Sequence, residues 1–262
     1  MYDYVLYHDN CYDGFGSALV AWLKLGDNAK YIPVNYGQYP PDLPKGSKVL
    51  ICDFSYPREQ LLNFALDHEV QVLDHHKTAQ AALEGIPYAT FDMNHSGAYL
   101  TWKHFYPESD VPEFILYLED RDLWTFRLPG SRGVSQALRA YPFDFNVWNS
   151  LMYDVEQLRQ EGPVIERFTQ QMVNLMCDNS FEKVIGGHLV PVANATVFFS
   201  EVGEELCIRN PNAPFAAYYL DRKDGKRQWG LRSRGGFDCS EVAKKLGGGG
   251  HPGAAGFVEE LK

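Results

Sequence analysis

The strongest constraint on this chain is that, through residues 3–120, short apolar runs alternate with segments of helical spacing. The runs are too short for buried helices and suit strands; strands separated by helices pair in parallel through crossovers. DYVLYH (3–8), KYIPVNY (30–36), KVLICDF (48–54), EVQVLDH (69–75) and PYATFD (87–92) are the expected strands. SALVAWLKL (17–25), with Ser17 as its cap, PREQLLNFALD (57–67), with Pro57 in its first turn, SGAYLTWKHF (96–105) and PEFILYLED (112–120) are the expected helices. The fold class this implies is α/β, with a parallel sheet.

Residues 145–185 keep helical spacing but are interrupted at Gly162-Pro163, which predicts a helical connector. The last part restarts as a smaller α+β unit. Its strands are expected at 189–199, 214–220 and 228–233 and its helix at 239–246. The expected organisation is therefore a first domain over 1–144, a connector over 145–187 and a second domain over 188–262. Charge divides in the same sense: residues 1–189 hold 14 Lys+Arg against 25 Asp+Glu, and residues 190–262 hold 10 against 9.

A net charge of −10 argues against a protein that coats long nucleic acid, whose phosphates call for a basic surface. It leaves room for a short anionic substrate held by metal and a few local donors. No apolar run approaches the roughly 20 residues that span a bilayer, so no membrane partner is expected. The N-terminal MYDYVLYHDN has no basic region followed by an apolar one, so no signal peptide is expected. Five cysteines (Cys11, Cys52, Cys177, Cys207 and Cys239), far apart and without a CxxC, read as reduced thiols of a cytoplasmic protein.

Ligand-type residues gather where the strands end. His8-Asp9 closes the first strand, Asp53 follows VLIC, and Asp74-His75-His76 follows VQVL. Ligands of an open parallel sheet bind outside the carboxyl ends of its strands, so separate strands delivering Asp and His there point to one shared site. Asp120, at the end of an apolar helical run, is a further candidate carboxylate. Mixed Asp and His ligation suits Mn²⁺ or a similar divalent ion, and two such ions would polarise a phosphoryl group and acidify a water. A lone Asp after a strand is more often a turn former.

The second constellation is GGGGHPGAAGF (247–257), where glycine amides and His251 could approach an anion closely. Glycines alone would read as a flexible loop. Arg232 and Arg234, upstream in LRSRGG, would share one face of a strand. One could bind phosphate while the other completes a salt bridge. Among the many aromatics, Tyr36, Tyr39 and Tyr56 fall in loops near strand ends. His68, His95, His104 and His188 have no visible partner, and only His95 could reach the site.

Five segments in order, YHDNCYDGFGSA (7–18), ICDFS (51–55), LDHHKTA (73–79), YLEDRDLW (117–124) and GGGGHPGAAGF (247–257), give the chain its resemblance to the DHH family of phosphoesterases with a C-terminal DHH-associated domain. The resemblance runs over nearly the whole chain, toward the branch of oligoribonucleases and nucleotide phosphodiesterases. It implies a Mn²⁺-dependent hydrolase (one or two ions, with Mg²⁺ or Co²⁺ as alternatives) whose first domain holds metal, whose second holds substrate, and whose cleft lies between them. By motif match His8, Asp13, Asp53, Asp74, His75 and Asp120 are candidate metal ligands. His76 and Asp74 are candidate catalytic residues, and His251, Gly249, Gly250, Arg232 and Arg234 candidate substrate contacts. The first motif departs from the family pattern: Cys11 stands where a middle carboxylate would fall. Aligned from the left, His8 is its ligand; aligned on Asp13-Gly14, Asp9 is; Asn10 and Cys11 could serve instead. Asp120 is preferred to Asp122.

The expected activity is hydrolysis of phosphodiester bonds in di- to oligonucleotides, with no long duplex as substrate and a homodimer left open. The family also contains 3′,5′-bisphosphate nucleotidases, cyclic-dinucleotide phosphodiesterases and polyphosphate hydrolases, and a weakened relative that only binds nucleotides would share the same motifs. The connector would act as a hinge.

Overall fold

The apolar runs of the first half form β1 (Tyr4–His8), β2 (Lys30–Val34), β3 (Lys48–Cys52), β4 (Glu69–Asp74) and β5 (Ala89–Phe91) of a computed structural model that describes residues 1–261. They pair in parallel in the order β2-β1-β3-β4-β5. Between and after them come α1 (Tyr12–Leu25), α2 (Arg58–Ala65), α3 (Lys77–Ala82), α4 (Gly97–Phe105), α5 (Glu113–Asp122), α6 (Ser131–Leu138) and α7 (Phe145–Tyr153). Period-two alternation sends Leu6, Val49, Ile51 and Val72 to the face covered by Leu61, Phe64 and Leu83. Val5, Leu50, Cys52 and Leu73 point the other way, to the face covered by Ala21 and Leu25 of α1. Burial on both faces is why the strands read as near-continuous apolar runs.

The strand order reverses between β1 and β3, and a crevice opens outside the carboxyl ends of the strands at such a reversal. His8 and Asp53 stand at those two ends. On one side, Phe15, Leu19, Phe114, Ile115, Leu118, Val134, Trp148 and Leu158 form an aromatic-rich core that fixes α1 against α5 to α7.

The chain divides into two compact units, Met1–Glu166 and Arg167–Lys262, the division falling inside α8 (Val155–Asp178). The second unit contains β6 (Phe181–Ile185), β7 (His188–Asn194), β8 (Ala216–Asp221), β9 (Lys226–Arg232), β10 (Gly249–His251) and β11 (Ala254–Glu260). They form one sheet in the order β10-β11-β9-β8-β7-β6, antiparallel except for β7 with β8. Helix α10 (Cys239–Lys245) packs Val242 and Ala243 on Val190, Val192, Trp229 and Phe257. Helix α9 (Phe199–Arg209) packs Val202 and Leu206 on Ala193 and Ala216.

Several local expectations change. Helix α1 begins at Tyr12, not at a Ser17 cap; Ser17 lies inside it and its hydroxyl donates to the Asp13 carbonyl. Pro57 precedes α2 in an extended conformation instead of occupying its first turn. The helical break falls at Asp154, between α7 and α8, and α8 runs through Gly162-Pro163. Gly162 is there for close packing, since a Cβ on it would lie 2.5 Å from the Gly133 carbonyl carbon of α6. The strand expected over 189–199 ends at Asn194, and Phe199 begins α9, whose buried Val202 and Leu206 are one helical turn apart. Helices α3 and α6 and strand β6 were not foreseen. All five cysteines are free, and among the described residues no helix is long and apolar enough to cross a membrane.

Candidate metal centre

Beyond β1 the chain turns sharply through Asn10 (φ 54°) into α1, and Asp13 in the first turn of α1 faces back toward the strand ends. Gly14 allows this return: a Cβ there would sit 2.3 Å from the His8 carbonyl oxygen. Beyond β3, Asp53 takes a left-handed conformation (φ 53°), uncommon outside glycine and tolerated best by Asp and Asn. The N-terminus of α4, capped by Ser96, presses in from the side. Its Gly97 and Ala98 amides donate to the Asp13 carboxylate, so the positive end of the helix favours the negative charge.

The result is a tight cluster of donors. His75 Nε2 lies 3.1 Å from Asp53 Oδ1, 3.4 Å from Asp122 Oδ2 and 3.8 Å from Asp13 Oδ2. On the other side of Asp53, its Oδ2 is 3.6 Å from His8 Nδ1 and 3.4 Å from Cys11 Sγ. Three sets of ligand atoms lie within 4.8 Å of one another: His8–Cys11–Asp53, Asp53–His75–His76 and Asp13–His75–Asp122. Asp53 and His75 each belong to two of them.

Charge in this cluster is poorly balanced by the protein alone. Burial and the charges of Asp53 and Asp122 push the Asp13 carboxyl well above the usual range, and burial and Asp53 raise Asp122. Burial opposes the charged form of His75, but its hydrogen bond to Asp53 and the Asp122 and Asp13 charges outweigh that and raise it to about 10. Burial also opposes ionisation of Asp53, yet the hydrogen-bonded His75, with His8 and His76 beside it, holds it below the usual carboxylate range. A divalent cation relieves such crowding of carboxylates. Moreover, His8 Nδ1 is buried without a hydrogen-bond partner, as a ligand atom facing a cation site would be. The donor set fits a metal.

The expected residues do not all join. His8, Asp13, Asp53 and His75 do. Asp9 does not: it accepts from Asn10 and from Asn35 Nδ2. Asp74, offered as both ligand and catalytic residue, is absent from all three sets. Its buried carboxylate accepts from Ser55 Oγ, from the His75 and His76 amides and from His76 Nδ1, at 2.6 Å for the last, so it orients that ring. Asp120 is also outside. Its carboxylate accepts from Thr125 Oγ1 and from the Arg127 and Leu128 amides, closing the turn after α5. The carboxylate that reaches His75 is Asp122, and the preference between the two is reversed. Helical phase carried the signal, because Ile115, Leu118 and Asp122 follow one another at spacings of three and four. Gly97 and Ser55 lie in segments the sequence singles out, SGAYLTWKHF (96–105) and ICDFS (51–55), but no local signal marks either as part of the site.

Tyr36 packs edge-on to His8 at 5.2 Å and to His76 at 6.0 Å, whereas Tyr56 is buried and Tyr39 exposed. His95 stacks on Tyr99 and pairs with Glu119. In the second unit the glycine run is no loop. Gly249, Gly250 and His251 form β10 against Ala254–Gly256. Gly250 has φ 139°, and a Cβ on Gly248 would lie 1.9 Å from the Gly256 carbonyl oxygen. Arg232 ends β9 and is paired with Ala254 in the register that brings His251 to the same Ala254. Arg234 lies beyond the strand, so the two arginines share no strand face; its Nη1 is 3.5 Å from Glu204.

The DHHA1 domain family matches residues 205–260, within the second unit. The uncharacterized protein R106 of Acanthamoeba polyphaga mimivirus is 30% identical over 287 aligned positions, covering 98% of this chain and 67% of that protein. The fold is similar to that of the pGpG-specific phosphodiesterase PggH from Vibrio cholerae (TM-score 0.54, 14% identity, 100% of this chain and 94% of that one). It is also similar to exonuclease RecJ bound to manganese (TM-score 0.50, 16% identity, 99% of this chain and 86% of that one). The chain belongs to one family with R106, and its second unit carries the DHHA1 domain. It combines a parallel-sheet unit bearing the donor cluster with a DHHA1 unit bearing β10. Cys11, of the His-x-x-Cys-x-Asp-Gly opening, lies within the cluster.

Proposed function

We propose that the protein is a divalent-metal-dependent phosphodiesterase that cleaves short nucleotides, from dinucleotides to short oligonucleotides. The observation that carries this reading is the sharing of Asp53 and His75 between adjoining sets of ligand atoms at the reversal of the sheet. Mn²⁺, with Mg²⁺ or Co²⁺ as alternatives, would be held by Asp13, Asp53, His75 and Asp122 and by His8, Cys11 and Asp53. Bound there, it would polarise the phosphoryl group and lower the pKa of the attacking water.

The remaining roles belong to the chain's own residues. Asp53 is the carboxylate that the His8–Cys11–Asp53 and Asp53–His75–His76 sets share, and His75 links the latter to Asp13 and Asp122. Gly97 and Ala98 hold Asp13 in place through their amides. Asp74 fixes the His76 ring through Nδ1, and His76 offsets negative charge that develops on a phosphoryl oxygen in the transition state. In the DHHA1 unit, His251, the Gly249 and Gly250 amides and Arg232 bind a terminal phosphate, while Arg234 is steadied by Glu204. A chain of net charge −10 suits a short anionic substrate better than a long strand, which needs a basic groove.

The test is product analysis on a 5′-phosphorylated dinucleotide, with Mn²⁺ and with chelator, beside a cyclic dinucleotide, adenosine 3′,5′-bisphosphate and polyphosphate. Mn²⁺-dependent release of mononucleotides supports the reading. Turnover of only one of the other substrates would replace the substrate class, and silence across the panel with metal bound would refute it.

A further inference from the structure

Cys11 is the one cysteine in the three sets of clustered ligand atoms among the described residues. Its Sγ lies 3.4 Å from Asp53 Oδ2, the oxygen that His8 Nδ1 approaches from 3.6 Å with no hydrogen-bond partner of its own. The position is built. Cys11 immediately precedes α1, and the Cys11 carbonyl accepts from the Phe15 amide in the helix's first turn, which ties the residue to the element that carries Asp13. The nearby Cys52, by contrast, is fully buried in the sheet's core and belongs to no set.

The two halves of the centre therefore differ in chemistry. Asp13, His75 and Asp122 offer two carboxylates and one imidazole, a set suited to hard ions. His8, Cys11 and Asp53 offer one nitrogen, one sulfur and one oxygen. Sulfur ligands favour Zn²⁺ and Co²⁺ over Mn²⁺ and Mg²⁺ more strongly than carboxylates do.

We propose that Cys11 is a metal ligand, and that it makes the His8–Cys11–Asp53 site selective for a borderline ion such as Zn²⁺ or Co²⁺ while the Asp13–His75–Asp122 site takes Mn²⁺ or Mg²⁺. On binding, the Cys11 thiol gives its proton to solvent as the sulfur–metal bond forms, with no change in oxidation state. This rests on the reading of the cluster as a metal centre and is independent of which nucleotide is cleaved.

The test uses the full chain, stripped of metal under reducing, anaerobic conditions and titrated with Co²⁺. The expected result is a near-ultraviolet sulfur-to-cobalt charge-transfer band, absent in Cys11→Ser. Cys11→Asp should also lack the band while keeping the capacity for two ions. Its preference for Zn²⁺ over Mn²⁺ should fall at least about tenfold, the scale on which changes around a metal alter affinity. Should a variant not fold, the wild type alone decides: Zn²⁺ should slow alkylation of Cys11, read by peptide mass. Cobalt-loaded wild type without the band, a band that survives Cys11→Ser, or labelling of Cys11 indifferent to Zn²⁺ would overturn the proposal. None of these readouts involves a nucleotide. The band without phosphodiester turnover would keep this inference and refute the proposed function, and turnover without the band would do the reverse.

Discussion

Replacing Asp120 and Asp122 one at a time by alanine separates two carboxylates of α5 that do unrelated work. Two residues on a helix are about 200° apart in direction, so the pair cannot serve one site. Asp120 accepts from Thr125 Oγ1 and from two backbone amides. Hydrogen bonds to a charged group each contribute about 1.5–3 kcal/mol, but Thr125 and Arg127 are exposed enough for water to replace part of the loss. A net destabilisation of about 2–3 kcal/mol follows for Asp120→Ala. For a chain of this size that lowers Tm by roughly 4–12 °C. Asp122→Ala acts in the opposite sense. In chelator it removes a negative charge from beside Asp13 and Asp53, so its Tm should equal or exceed that of the wild type, while bound metal and turnover are lost. The assay is thermal unfolding with and without chelator beside metal content on the same samples. Loss of metal from Asp120→Ala at unchanged Tm, or a large chelator-independent fall in Tm for Asp122→Ala, would refute the assignment. The pH dependence adds a check. Burial opposes ionisation of Asp120, but Thr125 and the Arg127 and Leu128 amides hold it below the usual carboxylate range. Its folded pKa is thus depressed, and its contribution is present above the unfolded value and lost as pH falls through the folded one. The Tm gap between wild type and Asp120→Ala should therefore narrow below about pH 4.

Three other outcomes are expected. Asp74→Asn should retain its metal yet lose about 10²–10⁴ in kcat, because it orients His76 and lies outside all three sets of clustered donors; loss of metal by that variant would contradict the placement. Gly97→Ala should cost about 1–3 kcal/mol and weaken metal binding, since its Cβ would meet Asp53 Cβ at 2.5 Å and Asp13 Oδ2 at 2.9 Å; unchanged calorimetric binding would count against it. His251→Ala should raise KM for a 5′-phosphorylated dinucleotide with kcat little changed, and a fall in kcat alone would contradict phosphate binding.

The parallel sheet was legible because its strands are buried on both faces and read as compact apolar runs ending in Asp or His. The same logic places His8, Asp53 and His75 at one sheet edge from the sequence alone. What was illegible depended on contacts distant in sequence. Gly162-Pro163 looks like a helix break until Gly133 is seen pressed against Gly162, and the glycines before His251 look like a loop until β11 is seen beside them. The TVFF run masked the start of α9, because apolar residues at a strand exit and in a first helical turn look alike. The exchange of Asp120 for Asp122 was legible in helical phase and was missed because both lie in one acidic stretch. No local signal marks Gly97, whose importance comes wholly from the approach of α4 to Asp13 and Asp53.

The central claim, a metal-dependent phosphodiesterase built around Asp53, is tested most directly by mononucleotide release from a 5′-phosphorylated dinucleotide. Wild type and Asp53→Asn would be compared in Mn²⁺ and in chelator. The account predicts release only by the wild type and only with metal. Release in chelator, or release by Asp53→Asn at the wild-type rate, would contradict it.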